Sequence, residues 1–257
     1  MKLMTTVDIE RSAWQINYND RLLLLGSCFS DEIAGKLREY YFNVDANPFG
    51  TLYNPISIAR HLTDDVVSRY SVIILTLGTA WVYVDKATGE VVDNCQKRPA
   101  SDFIRRRMTV DEVVNTLEPI IGRHPDTHFI LTVSPIRHIK DGLHENNLSK
   151  GILLQAVERL TAAYFPSYEI LLDELRDYRF YAADLMHPSA QAVEYIWERF
   201  ADTYLYDAST RQQMSELHQL WLDCHHRMLH PESAEAAAFA ERTEAKYSEM
   251  KKRYPWI

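Results

Sequence analysis

Apolar positions along the chain fall into two spacings, and their alternation sets the expected order of elements. Residues 22–25 are four consecutive leucines ended by Gly26, the pattern of a strand buried on both faces. Ser30, Asp31 and Glu32 supply cap chemistry for an amphipathic helix over residues 33–41. Residues 42–46 predict a second strand closed by Asn47-Pro48-Phe49-Gly50, and Pro55 opens a second helix. Residues 71–77 are the clearest strand, ended by Gly78. Residues 81–84 and 90–92, joined by Lys86-Ala87-Thr88-Gly89, predict a hairpin. A helix from Thr109 to about Ile121 follows, then a strand over 128–133 closed by Ser134-Pro135. A long helix over 145–164, a last strand over 168–172 and a helix from Pro188 to about Tyr204 complete the pattern.

Strands alternating with helices predict an α/β fold, a parallel sheet covered on both faces with right-handed crossovers. From Ala208 onward the strand signal ends and Glu and Ala become frequent. Residues 208–257 are therefore expected as two helices split near His230-Pro231, an extension packed on a core domain of residues 1–207.

Composition narrows the class. With 46% hydrophobic and 25% charged residues in 257, the chain is expected to pack rather than stay disordered. The net charge is −8 and the only basic run is Arg105-Arg106-Arg107, which argues against a nucleic-acid partner. Three cysteines are too few for a disulfide scaffold and favour a reducing compartment. No apolar run reaches bilayer length and no leader pattern follows Lys2, so a cytoplasmic protein without a membrane partner is expected.

Ligands of such sheets bind outside the carboxyl ends of the strands. Just before the last helix of the sheet stands Asp184-x-x-His187, a spacing that lets a carboxylate orient an imidazole and stabilise its charged form. Alone, that pair fits a capping Asp beside a surface His better; beside a nucleophile-bearing turn it fits catalysis. The turn Gly26-Ser27-Cys28-Phe29-Ser30 offers Ser27 and Cys28 at a helix N-terminus. Helix-end amides there are expected to lower a thiol pKa and to hold a developing oxyanion. A plain turn, capped by Ser27 or Ser30 and filled by Cys28, fits equally well. Arg137 and His138 follow the strand 128–133; they read either as binders of a substrate carboxylate or phosphate, or as a surface Arg and a loop His. His226 and His230 would share a helix face, but no third ligand accompanies them, so no metal is expected. The Gly-x-x-x-x-Gly-Lys, Gly-x-Gly-x-x-Gly and Gly-x-Ser-x-Gly motifs are absent, which weakens nucleotide-binding and α/β-hydrolase readings.

Gly26-Ser27-Cys28-Phe29-Ser30 after an apolar strand resembles the signature of the GSCFA family, with Ser30 where the family name has Ala. The resemblance extends to Asn47 through Pro55, Leu77-Gly78-Thr79-Ala80, Asn94-Cys95, Ser134 through His138, and Tyr178 through Pro188. GSCFA proteins in turn resemble the SGNH, or GDSL-type, hydrolases. That likeness implies a flavodoxin-like three-layer α/β/α sandwich and an ester hydrolase or acyltransferase acting on an acyl ester, an O-acyl carbohydrate among the candidates. It implies no metal or organic cofactor. Asp184 and His187 map onto orienter and base, and Gly50 onto an oxyanion-hole amide. The Gly-Asp-Ser register puts Cys28 at the attacking position, with Ser27 the alternative if the turn shifts by one residue. Ala80 stands where a donor Asn belongs, and Asn94 is a candidate substitute. Two rival readings stay open: a non-catalytic binding module on the same fold, and a thiol sensor using Cys28 and Cys95. The C-terminal helices are the expected surface for any oligomer.

Overall fold

The computed structural model describes residues 4–93 and 98–257. Its central sheet has five parallel strands: β1 (Arg21–Gly26), β2 (Asn43–Ala46), β3 (Val72–Leu77), β7 (His128–Val133) and β8 (Ala163–Tyr164), in the order β2-β1-β3-β7-β8. Between β3 and β7 the chain builds a separate antiparallel sheet, β5-β4-β6, from β4 (Trp81–Asp85), β5 (Val91–Val92) and β6 (Phe103–Arg107). The main sheet has the flavodoxin-like strand order, which reverses direction between β1 and β3.

The leucine run of β1 shows why both faces must be apolar. Successive side chains point to opposite faces, so Leu22 and Leu24 enter one core and Leu23 and Leu25 the other. The first core is closed by α1 (Phe29–Glu39) and α7 (Ala190–Tyr204), through Ile33, Leu37, Ile196 and Trp197. The second is closed by α2 (Pro55–His61), α4 (Val110–Arg123) and α5 (Leu143–Val157), through Ile58, Leu117, Leu153 and their neighbours. A short helix, α3 (Asp64–Val67), links α2 to β3. Each buried leucine is fully covered, so truncating one to Ala would cost about 2–5 kcal/mol. Together these elements make a three-layer α/β/α sandwich.

One expectation is corrected. The last strand is Ala163–Tyr164, paired with Ile130 and Leu131, not residues 168–172. The latter are helical: α6 (Ser167–Glu169) runs into a π-helical turn, Ile170–Leu175. A short apolar run fits a buried strand or a buried helix equally. Here Ile170, Leu171 and Glu174 turn inward together, a helical spacing, and the preceding long helix stops at Val157. The basic run is a strand, to which the sequence pattern assigns no element: β6 pairs with β4, and Arg106 and Arg107 are neutralised by Glu112 and Glu145.

Residues beyond Ala208 form α8 (Ala208–Cys224) and α9 (Ala234–Arg253). Met214, Leu217 and Tyr254 join the core that α1 and α7 close. No described helix is long and apolar enough to cross a membrane.

Candidate active site

The site lies where the strand order reverses. Gly26 ends β1 with φ +140°, and a Cβ there would meet the Thr76 carbonyl oxygen at 2.1 Å, so only glycine fits. The chain then turns through Ser27 and Cys28 into α1. Cys28 is the N-cap of α1 but makes no side-chain cap bond. Its Sγ lies instead 3.3 Å from His187 Nε2, although the two residues are 159 positions apart. On the other side of the ring, His187 Nδ1 is 2.6 Å from Asp184 Oδ2.

The loop that delivers His187 is held by backbone bonds. Asp184 Oδ1 accepts from the N–H groups of Met186 and His187 at 2.9 and 3.0 Å. Arg137 braces the loop from the end of β7, its N–H donating to the Met186 carbonyl and its guanidinium to the Leu185 carbonyl. Leu185 itself sits at φ +59°, backbone strain that these bonds sustain.

The electrostatics set the resting proton positions. The backbone N–H groups of His187 and Met186, together with the His187 ring, hold the Asp184 carboxyl down at about 2, so it stays a carboxylate. Burial pushes the Cys28 thiol above its ordinary range, and the carboxylates of Asp31, Glu32 and Asp184 add to the rise against its own backbone N–H. The expected lowering by the helix end is therefore overturned. Desolvation and two acidic side chains in the first turn of α1 outweigh the helix amides. At rest Cys28 is a thiol with the His187 imidazole in contact.

The other anticipated residues separate clearly. Ser27 is fully buried, and its Oγ donates to Ser134 Oγ at 2.9 Å rather than to the imidazole. Ser30 Oγ donates to Thr76 Oγ1, so neither serine caps α1. The Gly50 N–H closes a turn onto the Asn47 carbonyl at 2.8 Å, which leaves it no free donor for an oxyanion. Asn94 and Cys95 lie outside the described residues. Arg137 stacks near Tyr178 and Tyr181 and has no carboxylate partner among the described residues. The His138 ring is held neutral, drawn down to about 4 by burial and then by the Lys150 charge, and its buried Nε2 has no partner among the described residues. His226 and His230 fall between α8 and α9, against Phe239 and Glu232 respectively. Among the described residues no cluster of His, Cys, Asp and Glu could hold a metal.

Cys28 and His187 open onto a cleft of about 460 Å³ whose walls include Tyr53, Trp81, Tyr83 and Ile136, with Asn54 beside them. One of these walls went unrecognised as such in the sequence. Asn54 precedes a proline and reads only as a helix start. Trp81 belongs to the small antiparallel sheet, where the Arg105 guanidinium lies 3.7 Å from its ring centroid.

The GSCFA family profile matches residues 21–69 and 61–200. The chain belongs to the GSCFA family. No curated protein matches it. Among solved structures it is similar to a variant of Axe2, an acetylxylan esterase from Geobacillus stearothermophilus, at 13% identity over 74% of this chain and 95% of that one, TM-score 0.46. It is also similar to a family 3 carbohydrate esterase of Clostridium thermocellum at 13% identity, covering 75% and 98%, TM-score 0.42. A GDSL-like lipase from Bacteroides thetaiotaomicron matches at 11% identity, covering 75% and 88%, TM-score 0.45.

Proposed function

We propose that this protein cleaves small-molecule acyl esters with Cys28 as nucleophile, passing the acyl group to water or to a second alcohol. The observation that carries this reading is the continuous chain from Cys28 Sγ through His187 to Asp184, opening onto a cleft. Cys–His pairs are an established nucleophile design.

In the first half-reaction the Cys28 sulfur attacks the acyl carbonyl carbon while its proton passes to His187 Nε2. The tetrahedral adduct collapses, the carbon–oxygen bond to the alcohol breaks, and His187 returns the proton to the leaving oxygen. In the second half-reaction water or an alcohol attacks the Cys28 thioester. His187 takes its proton and then gives it to the departing sulfur, restoring the thiol. Asp184 holds the imidazole with Nε2 facing the sulfur and stabilises the imidazolium formed in each half. The raised thiol makes this proton transfer necessary at neutral pH, since little thiolate stands ready. The site binds its acyl ester among aromatic side chains, and an O-acyl carbohydrate is one class with both the ester and the apolar ring faces for it.

Turnover of an aryl acetate by wild type, Cys28→Ala and His187→Ala tests the proposal. Loss of the base is expected to lower kcat/KM by about 10²–10⁴-fold. Unchanged turnover in His187→Ala protein would sink the reading, and absence of turnover and of Cys28 labelling in wild type would favour a non-catalytic binding module on the same fold.

A further inference from the structure

The esterase reading leaves the developing oxyanion short of donors. Ala80 has no polar side chain, and the Gly50 N–H is committed to Asn47. At the nucleophile turn the Cys28 backbone N–H, which faces its own sulfur, is one donor.

Asn54 offers another. Residues 52–54 are laid across the carboxyl ends of β1 and β3. The Leu52 N–H donates to the Gly26 carbonyl at 2.9 Å, and the Tyr53 carbonyl accepts from the N–H groups of Gly78 and Thr79 at 2.9 and 2.8 Å. The approach is close: a Cβ on Gly78 would meet the Tyr53 oxygen at 3.0 Å. This clamp fixes Asn54 beside the nucleophile turn, 5% exposed, as a wall of the cleft that Cys28 and His187 share. Its amide orientation is also fixed. Oδ1 accepts the Ser57 N–H at 2.9 Å and so caps α2, which turns Nδ2 away from the helix. Nδ2 has no partner among the described residues.

We infer that Asn54 Nδ2 is an oxyanion-hole donor, binding the carbonyl oxygen of the substrate as the tetrahedral adduct forms on Cys28. The assignment rests on the acyl-transfer reading above. As the sulfur–carbon bond forms, the carbonyl electron pair moves onto oxygen, where the Cys28 N–H and the Asn54 amide hold it. It returns to carbon as the bond to the leaving oxygen breaks. Asn54 is then a catalytic residue, with its helix cap serving as the device that aims it. A donor that gains strength only as charge develops acts on the rate of the chemical step.

Asn54→Ser and Asn54→Thr separate the two roles, because both keep an uncharged cap for α2 and neither reaches as far as the amide. Three readings are taken on each: the rate of Cys28 acylation by p-nitrophenyl acetate, the rate of its alkylation by iodoacetamide, and Tm. Alkylation passes through no oxyanion. The inference expects acylation to fall about 10²–10³-fold while alkylation and Tm hold. Acylation at the wild-type rate overturns it. So does a parallel loss of acylation and alkylation, or unfolding of both variants, since either marks Asn54 as a structural cap. Wild-type protein that alkylates at Cys28 yet is never acylated removes the acyl-transfer reading itself, and this assignment with it.

Discussion

Ser27 and Cys28 are adjacent, both sit where β1 ends, and they occupy opposite environments. Behind the turn, the buried Ser27 hydroxyl donates to Ser134 Oγ, itself an acceptor for the Ile136 N–H, while Lys150 Nζ donates to the Gly78 and Ser134 carbonyls at 2.7 Å. In front of it, the Cys28 thiol is half-buried, touches His187, and borders open space. Residue types alike in chemistry thus divide into a set that holds the strand ends together and a set that can react. One step along the backbone decides membership, because the chain turns from β1 into α1 at these two residues, Cys28 already having helical backbone angles.

The sharpest break of this comparison is by mutation at the two positions. Cys28→Ala should lower aryl-acetate turnover by about 10³-fold or more, whereas Ser27→Ala should stay within a few-fold of wild type. Steady-state kinetics on both proteins read it directly, and a large loss confined to Ser27→Ala would reverse the assignment.

Next in size is Asp184→Asn. The amide keeps the loop bonds in part but cannot stabilise an imidazolium, so kcat should fall by about 10²–10⁴-fold with KM little changed. Because Asp184 is held at about 2, its charge persists down to strongly acid solution. Activity lost near neutrality on acidification must therefore belong to another group, and the acid limb of the kcat/KM profile checks this.

A third effect probes the sealed side. Burial draws the Lys150 ammonium from 10.5 down to about 7. Between those values the unfolded chain binds the proton and the folded chain does not, so this group makes stability rise as pH rises across the window. Lys150→Met carries no such proton. The wild-type-minus-variant difference in unfolding free energy should therefore climb from about pH 7 to pH 10.5. Urea titrations at several pH values measure it, and a flat difference would contradict the account. The smallest effect is the cost of Ser27→Ala to stability, about 1 kcal/mol for one buried hydrogen bond.

Much of this was legible in the chain itself. The Leu22–Leu25 run and Gly26 are local signals of a buried strand and its turn, and the spacing of Asp184 and His187 gains its meaning beside that turn, which places turn and loop at one sheet edge. What the sequence could not carry is direction. Ser27 against Cys28 depends on which way a side chain leaves the turn. The role of Asn54 depends on which end of its amide the Ser57 N–H occupies. The thiol pKa was expected to fall, because helix-end amides are readable from sequence whereas the depth of burial is not. Residues 168–172 were expected as a strand since an apolar run of that length carries no period. Tertiary packing of Ile170 and Leu171 made it helical.

The central claim is that Cys28 Sγ forms the bond to the acyl carbon. Rapid acid quench of the protein with an activated acyl ester, followed by peptide mass spectrometry, looks at that bond. The account predicts one acyl group on the peptide carrying Ser27 and Cys28, located on the cysteine and absent from Cys28→Ala protein. An acyl group on Ser27, or steady hydrolysis that survives in Cys28→Ala, would contradict it.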